Sequence, residues 1–391
     1  MNIIHIKNIR FKNGKNIKIR KWSKLYEVKR KYPKRFNIYH KVILFMILLL
    51  YFLAISIIKG SFKIKKYYIS QKDYDLTAEK IYNSTGYLSF NELDQKLFGT
   101  KINYSKFNNI HIGMSFNNDY YLLTTVTIAS LFKNAAPDTY IHVYIIETGD
   151  MVHETRKKLL SLKAKINNNT EFIFYNGSRA INDFGPQIIK ECYGVGEYAR
   201  LLSPEIVKSD RVLVIDSGDL FIEKDLVEFF NLPFNDTLIL GSLDPYAKCF
   251  TEIPSLRKKN YINSGVLLFN AKKWREMEIY KDIVNLYQGF NFYGRLSLPI
   301  QDIVNTFLPY VSLGYLPIKY NFQYHTYIYS SCSVIARNEV EDAIKNEIIR
   351  HNNKMKPYFG DGEKDKWIHY ANLTGFLDEI CLKYPKGCYK N

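Results

Sequence analysis

The chain has 391 residues, 47% of them apolar and 24% charged, so it can bury at least one large core. Its twenty glycines, twelve prolines and five cysteines exclude collagen-like, proline-rich disordered and disulfide-dense proteins. Of the net charge of +17, residues 1–41 carry +13, from fourteen Lys/Arg and one Glu, which leaves +4 for the other 350 residues. The basic character therefore belongs to an N-terminal tail.

An uncharged, apolar run, residues 42–58, follows this tail. As a helix it would cover about 26 Å, at the short end of a bilayer span, so we expect a single N-terminal transmembrane helix. A signal peptide or a buried helix explains the run less well, because no cleavage site stands out and lysines flank it on both sides. The charge on the tail predicts that residues 1–41 are cytosolic and that the rest of the chain is luminal.

The remainder of the chain suits a single-pass type II protein of the Golgi (or endoplasmic reticulum) membrane. Six Asn-x-Ser/Thr sequons and all five cysteines follow the apolar run. Cys381 and Cys388 are close enough to pair, although the connectivity stays open and an odd count leaves at least one cysteine unpaired. Aromatic residues among the basic ones of the tail would also suit nucleic acid. The adjacent span favours a topogenic tail, so no nucleic-acid partner is expected.

Residues 59–108 are polar and weakly patterned, which predicts a stem or spacer before a luminal domain at 109–391. In that domain, short apolar and β-branched runs alternate with segments of helical pattern. The predicted strands are 110–114, 140–146, 171–175 and 211–215, and the predicted helices are 121–132, 154–163 and 194–206. The alternation predicts an α/β fold with a mostly parallel central sheet, in which ligands bind at the carboxyl ends of the strands.

Two carboxylates, Asp216 and Asp219, follow the last of these strands on a turn that contains Ser217 and Gly218. At the carboxyl end of a strand, two carboxylates can bind one hard cation, Mn²⁺ or Mg²⁺, that bridges to substrate phosphates. Alone, the pair could equally be an acidic turn that caps the next element.

The surrounding segment, residues 197–226 (EYARLLSPEIVKSDRVLVIDSGDLFIEKDL), resembles the donor-binding core of family 8 retaining glycosyltransferases, the group that includes glycogenin and bacterial lipopolysaccharide galactosyltransferases. Five more segments resemble this family in the same order: IGMSFNNDY at 112–120, YINSGVLLFNAKKWR at 261–275, QDIVN at 301–305, LPIKYNFQ at 316–323 and RHNNKMKPY at 350–358. The resemblance covers about residues 109–375 and implies a GT-A-type, Rossmann-like domain that binds a nucleotide sugar.

The resemblance also implies a UDP-sugar donor and a set of site residues. Tyr120 or Tyr121 could offer a flat apolar face to uracil, and the amides and carboxylate beside them could bond the base edge and the ribose. Arg200 would contact the donor, Gly265 would let the backbone approach the sugar, and Lys356 would help the metal to neutralise the departing diphosphate. The expected donor-binding residues are Asn117, Asn118, Asp119, Tyr120, Arg200, Asp216, Asn263, Gly265 and Lys356, and the expected metal ligands are Asp216, Asp219 and His351.

The sequence departs from the family pattern at three places. The D-x-D motif has one extra residue, and Ile300 replaces a carboxylate expected near the reacting sugar. Strict spacing from Lys356 puts Arg350, not His351, at the third metal position, where it would replace part of the cation's charge. Because Ile300 cannot be a nucleophile and an amide is a poor one, we expect same-face attack, with Gln301 and Asp302 as the catalytic residues that position the sugar.

Together these features predict a membrane-anchored retaining glycosyltransferase with Mn²⁺ or Mg²⁺ as cofactor. It would transfer a hexose or pentose from a UDP-sugar to a hydroxyl of a glycan or glycoprotein and form an α-linkage. The alternative is a catalytically weak relative that binds nucleotide sugar or glycan without turnover, which Ile300 and the shifted His351 favour. A membrane adaptor with an inert luminal domain would explain the basic tail but none of the six ordered segments.

Overall fold

The structure, a computed structural model, describes residues 71–388 with gaps at 191–193, 245–259, 291–295, 297, 309–311 and 330–334. The basic tail and the predicted span at 42–58 lie outside the described residues, as do Cys192, Cys249 and Cys332. Among the helices that are described, none is both long and apolar enough to cross a membrane.

The described chain alternates between strands and helices. The strands are β1 (Tyr87–Ser89), β2 (Asn108–Phe116), β3 (Thr139–Glu147), β4 (Thr170–Asn176), β5 (Val212–Ile215), β6 (Leu220–Ile222), β7 (Ile239–Leu243), β8 (Ile262–Phe269), β9 (Leu313–Leu316) and β10 (Ile349–His351). The helices are α1 (Gln71–Thr85), α2 (Phe90–Phe98), α3 (Tyr121–Asn134), α4 (His153–Lys165), α5 (Arg179–Phe184), α6 (Gly194–Ala199), α7 (Ser203–Ile206), α8 (Val227–Phe230), α9 (Ala271–Glu276), α10 (Ile279–Phe290), α11 (Pro299–Phe307), α12 (Tyr324–Tyr329), α13 (Arg337–Asn346), α14 (Lys364–Thr374), α15 (Leu377–Lys383) and α16 (Pro385–Cys388).

The main sheet has the strand order β1-β4-β3-β2-β5-β8-β7-β9, and β6 and β10 form a separate antiparallel pair. Strands β4, β3, β2 and β5 pair in parallel, and so do β7 and β9. Strand β1 pairs antiparallel with β4, and β8 pairs antiparallel with both β5 and β7. The expectation of an α/β fold with a mostly parallel sheet is therefore confirmed.

Both faces of the sheet are covered, which explains why the central strand β5 is apolar at every position. On β5, Leu213 and Ile215 belong to one apolar cluster, whereas Val212 and Val214 belong to a second one on the opposite face. Every residue of β3 is buried. The strands and helices predicted from periodicity are present, except that the predicted helix at 194–206 consists of α6, a short 3₁₀ segment and α7. Pro204 explains the break, because proline fits only the first turn of a helix.

The prediction of a stem through residue 108 is wrong from residue 72 onward. The described residues from Lys72 form one compact unit, in which β1 pairs with β4 and extends the main sheet. Ala78 of α1 and Leu93 of α2 are buried in the core. A local signal was present: Ser89 accepts a hydrogen bond from the Glu92 amide, so Ser-x-x-Glu begins a helix there.

The C-terminal helices are closed by a disulfide between Cys381 and Cys388, the pairing that the sequence left open. The two cysteines belong to α15 and α16, which lie against α14. Lys383 and Tyr384 lie between them in the chain.

Candidate active site

A cleft of about 880 Å³ opens where the neighbouring parallel strands β2 and β5 end. This is the edge of the sheet at which an open α/β fold binds its ligands. The segments that follow β2 and β5, helix α6 and the segment after β10 all contribute side chains to its walls. The predicted site residues that line the cleft are Asn117, Asp119, Tyr120, Arg200, Asp216, Asp219 and Lys356.

The predicted metal ligands lie together at the base of this cleft. Asp216 follows β5 directly, and Asp219 precedes β6. His351 ends β10 and pairs with Leu220 of β6, so the two-stranded sheet brings it beside Asp219. Its Nε2 atom is 3.6 Å from Asp216 Oδ2 and 3.4 Å from Asp219 Oδ2. One ligand atom from each of the three residues lies within 4.8 Å of the others.

The chemistry of this cluster fits a divalent cation. His351 Nδ1 lies 2.9 Å from Asn321 Oδ1, and a proton on Nδ1 leaves Nε2 as a lone-pair donor towards the carboxylates. Both His351 Nε2 and Asp219 Oδ1 are buried without a hydrogen-bond partner among the described residues. Such atoms are costly unless a ligand satisfies them. Two carboxylates with one imidazole suit Mn²⁺, because imidazole nitrogen is a softer ligand than the oxygens that Mg²⁺ prefers.

His351, and not Arg350, occupies the third position of this cluster. Successive residues of a strand point to opposite sides, so β10 can direct only one of the two towards the carboxylates. The Arg350 guanidinium lies on the other side, where it pairs with Glu347 at 2.5 Å and Glu363 at 3.2 Å and packs over the Phe322 ring. The alternative that Arg350 replaces part of the cation's charge is therefore wrong.

The backbone of β8 lies directly against the metal-ligand cluster at Gly265. A Cβ atom at this position would press on the His351 ring and would lie 2.6 Å from Asp216 Oδ2. Asn263 Oδ1 accepts hydrogen bonds from the Gly265 amide and from Asn321 Nδ2, both at 2.8 Å. Asn321 in turn contacts His351, so a chain of amides orients the imidazole. The groups that lie close to Gly265 are therefore the ligand side chains, and the expected approach of its backbone to the sugar stays a prediction.

Two cations contact the carboxylates. Lys356 Nζ donates to Asp219 Oδ2. Burial alone would raise the pKa of Asp219, but the charge of Lys356 holds that pKa well below its usual range. Arg200 is buried, and its guanidinium lies 2.5 Å from Asp216 Oδ1 and 2.8 Å from Glu197 Oε1. Asp219 and Asp216 are thus each paired with a neighbouring cation.

Glu197 is a cleft residue that the sequence analysis did not single out. Burial raises its pKa to about 7, with Arg200 opposing the shift and the carboxylates Asp216 and Asp219 adding to it. Its position three residues before Arg200 on a helical segment was the signal, because residues at that spacing share a face.

Some residues of the segment after β2 line the cleft, and others make hydrogen bonds that hold the fold together. Asn117 accepts a hydrogen bond from the Tyr120 amide and shapes the turn, while Asp119 and the half-exposed Tyr120 line the cleft. Asn118 does not face the cleft: its side chain accepts a hydrogen bond from Thr155 of α4 at 2.7 Å. Tyr121 packs under Lys158 and bonds Glu379, so of the two tyrosines only Tyr120 can offer its ring to a base.

The residues expected to position the sugar are enclosed behind the cleft. Asp302 is fully buried, accepts hydrogen bonds from Tyr261 Oη at 2.7 Å and the Leu298 amide at 3.0 Å, and so fixes the start of α11. The structure does not support the prediction that Asp302 acts on the sugar. Gln301 accepts from the Ser264 amide at 2.9 Å and donates to Asp244 at 3.2 Å.

Asp244 is the second residue that the sequence analysis missed. It follows β7 directly, is buried, and accepts hydrogen bonds from Asn263 Nδ2 at 2.8 Å and from Gln301 Nε2. It stands at the carboxyl end of an apolar strand, the same signal that identified Asp216. Ile300, where the family pattern has a carboxylate, is fully buried in the core.

The model for glycosyl transferase family 8 matches residues 111–370, more than half of the chain, and the protein belongs to this family. Glycosyltransferase GlyF of Streptococcus pneumoniae serotype 4 is 25% identical over 265 residues, 67% of this chain and 61% of the relative. The chain thus matches about three fifths of the length of that relative.

Two solved structures have a similar fold. The galactosyltransferase LgtC, in complex with donor and acceptor sugar analogues, gives a TM-score of 0.54 at 22% identity, over 70% of this chain and 100% of that one. The bifunctional glycosyltransferase WbbM in its apo form gives a TM-score of 0.59 at 18% identity, over 71% of this chain and 52% of that one.

Proposed function

We propose that this protein is a metal-dependent retaining glycosyltransferase that transfers a sugar from a UDP-sugar to a hydroxyl of a glycan or glycoprotein. The observation that carries the proposal is the Asp216–Asp219–His351 cluster, with its unpartnered buried atoms, at the base of a cleft that also holds Lys356. A protein with no charged ligand to bind has little reason to gather two carboxylates, an imidazole and two cations in one place.

In the proposed mechanism, the uracil ring packs on Tyr120, and Asp119 and Asn117 bond the nucleoside. The cation, Mn²⁺ in preference to Mg²⁺, would neutralise the charge that develops on the departing diphosphate. Lys356 lies beside Asp219, where its ammonium can bond a phosphate oxygen and stabilise the same charge.

We propose same-face attack for the sugar transfer. Asp244 is the carboxylate behind the metal ligands, and two amide groups donate hydrogen bonds to it, which makes it a weak nucleophile. Its role would be to hold the sugar hydroxyls together with Asn263 and Gln301, while the acceptor hydroxyl attacks from the side of the leaving phosphate. This geometry forms the α-linkage expected for retention.

The test is UDP release by the full-length protein in detergent, with a panel of UDP-sugars and simple glycan acceptors in Mn²⁺. We expect release from one donor, its loss with chelator, and a fall of at least about 100-fold in Asp216→Asn and Asp219→Asn. The exposed Asp210→Asn is a matched control, since it changes a carboxylate near the same strand without reaching the cleft. Activity that persists in chelator would contradict the metal-dependent mechanism.

The burial of Ile300 favours one second candidate, a relative that binds nucleotide sugar without turnover. Such a protein would bind UDP with Mn²⁺ in calorimetry but would release no UDP from any donor. The same two assays therefore distinguish the candidates.

We further propose that residues 42–58 anchor the protein as a type II protein of the Golgi (or endoplasmic reticulum) membrane. The uncharged run and the +13 tail support this. Asn83, Asn103 and Asn372, three of the sequon residues, are exposed and accessible to a glycan. Synthesis with microsomes should give a glycosidase-sensitive product whose large domain resists protease. An unglycosylated, protease-sensitive product would contradict this topology.

A further inference from the structure

The C-terminal segment, residues 377–388, follows the region that the family model matches, yet it lines the cleft. It consists of α15 and α16 and is closed by the Cys381–Cys388 disulfide. Lys383 and Tyr384, which lie between the two cysteines, are part of the cleft wall beside Tyr120. The mechanism proposed above uses neither Lys383 nor Tyr384.

This segment holds the loop that carries Tyr120. Lys383 Nζ donates to the Asp119 carbonyl at 2.8 Å, and Tyr384 Oη donates to the same carbonyl at 3.4 Å. One turn earlier, the Glu379 carboxylate accepts from Lys158 Nζ at 2.7 Å and from the Tyr121 hydroxyl. Each end of the 119–121 turn is therefore bonded to the C-terminal segment.

The same segment packs closely on the residues that follow Lys356. A Cβ atom at Gly387 would lie 2.8 Å from Tyr358 Cα and 2.8 Å from the Trp367 ring, so α16 touches that backbone directly. The rings of Tyr384 and Tyr358 have their centroids 5.6 Å apart. The C-terminal segment thus connects the loop proposed to bind the base with the loop proposed to bind the diphosphate.

We infer that residues 377–388 are part of the donor site, that Lys383 and Tyr384 bind the nucleotide, and that the Cys381–Cys388 disulfide keeps them in place. The inference deepens the proposed function and rests on it. Lys383 uses one of its three N–H donors on the Asp119 carbonyl and lies 4.0 Å from the Asp119 carboxylate, so its ammonium keeps donors for an oxygen of a nucleoside diphosphate in the cleft that it lines. Tyr384 adds a third flat aromatic surface to the wall formed by Tyr120 and Tyr358.

The role of the disulfide follows from the small size of the elements it joins. Helix α16 has four residues, too few to be stable by itself, and α15 has seven. A dithiol reductant would transfer two electrons and two protons to the Cys381–Cys388 bond, which would give two thiols while the dithiol closes to its own disulfide. Without the cross-link, Lys383 and Tyr384 gain conformational freedom that must be lost again when the nucleotide binds.

The experiment measures UDP affinity by calorimetry and the donor KM and kcat of the full-length protein in detergent with Mn²⁺. We expect Lys383→Ala and Tyr384→Ala each to weaken UDP binding about tenfold and to raise KM with little change in kcat. Lys386→Ala is the matched control, because it removes an exposed lysine of the same segment that does not line the cleft. Dithiothreitol should weaken binding by the wild type.

The double variant Cys381→Ser/Cys388→Ser tests the disulfide directly. It should bind UDP as weakly as the reduced wild type and should not respond to dithiothreitol, although it keeps the other three cysteines. If the wild type binds UDP but neither the alanine variants nor reduction alters its affinity or KM, the inference is overturned and the proposed function stands. Wild-type protein that binds no UDP would overturn the proposed function and the inference together.

Discussion

The substitution Gly265→Ala tests the metal-ligand cluster without changing any ligand. Its Cβ would press on the His351 ring and would lie 2.6 Å from Asp216 Oδ2 and 2.9 Å from Asn263 Oδ1. Both distances are below the 3.0 Å that real Cβ atoms keep, so the ligand side chains or the strand must move. The backbone at Gly265 does not need a positive φ, so the effect is steric alone.

The size of the effect has two parts. Overpacking of a buried site by one methyl costs about 1–3 kcal/mol of stability. Displacing the side chains that bind or orient a metal lowers its affinity about 10- to 100-fold. We therefore expect a folded protein with a lower melting temperature and a Mn²⁺ affinity reduced by at least about tenfold, measured by electron paramagnetic resonance of free Mn²⁺.

Gly241→Ala on β7 is the matched control. Its Cβ would contact only the apolar side chains of Leu267 at 3.0 Å and Ile262 at 3.2 Å, away from the ligands. It should cost some stability and leave Mn²⁺ affinity unchanged. If Gly265→Ala bound Mn²⁺ as tightly as Gly241→Ala does, Asp216, Asp219 and His351 would not be the ligands.

Three further predictions concern stability. Arg156→Ala should lower the free energy of unfolding by about 3–5 kcal/mol in urea titrations, because it leaves the buried Glu147 carboxylate without its cation. In the wild type, Arg156 donates two hydrogen bonds of 2.6 Å to this carboxylate. A loss below about 1 kcal/mol would refute this. Glu197→Gln, in chelator, should raise the melting temperature at about pH 8 but not at about pH 4. Burial raises the pKa of Glu197 in the folded protein, so ionisation of this carboxyl group destabilises the protein at pH values above its unfolded pKa. The glutamine removes that penalty. An equal effect at both pH values would contradict this reasoning. Glu171→Gln should destabilise the protein at neutral pH and make little difference below about pH 3. Burial opposes ionisation of Glu171, but the hydrogen bond with His142 holds its pKa below the usual range. The ionised carboxylate therefore stabilises the protein above the unfolded pKa, and this stabilisation is lost as the pH falls through the folded pKa. A difference between the variant and the wild type that persists in acid would argue against it.

Part of the fold was readable because burial leaves a mark in the sequence. A strand covered on both faces can be a continuous apolar run, as in β5, and the rule that ligands bind where such strands end pointed to Asp216 and Asp219. The same rule applied to β7 would have found Asp244. The family resemblance supplied the order of the remaining site segments.

Residues 72–108 were misread because their contacts are distant in the sequence. Strand β1 has only three residues, and its partner β4 begins at Thr170. A short strand of this kind has too little periodicity to stand out from a polar spacer. Only the tertiary structure shows that Tyr82 and Ser89 bond the carboxylates of Glu147 and Glu171.

The direction of individual side chains also needed the tertiary structure. Arg350 and His351 are neighbours on one strand, and Gln301 and Asp302 on one helix, so the sequence narrows each choice to a pair. The register of β10 against β6 turns His351 to the carboxylates, and the packing of α11 on β8 encloses Asp302. The sequence by itself determined the fold class, the family and the residue types of the site. The tertiary structure decided which member of each pair contacts the carboxylates of the site, because that depends on strand register and helix packing across distant parts of the chain.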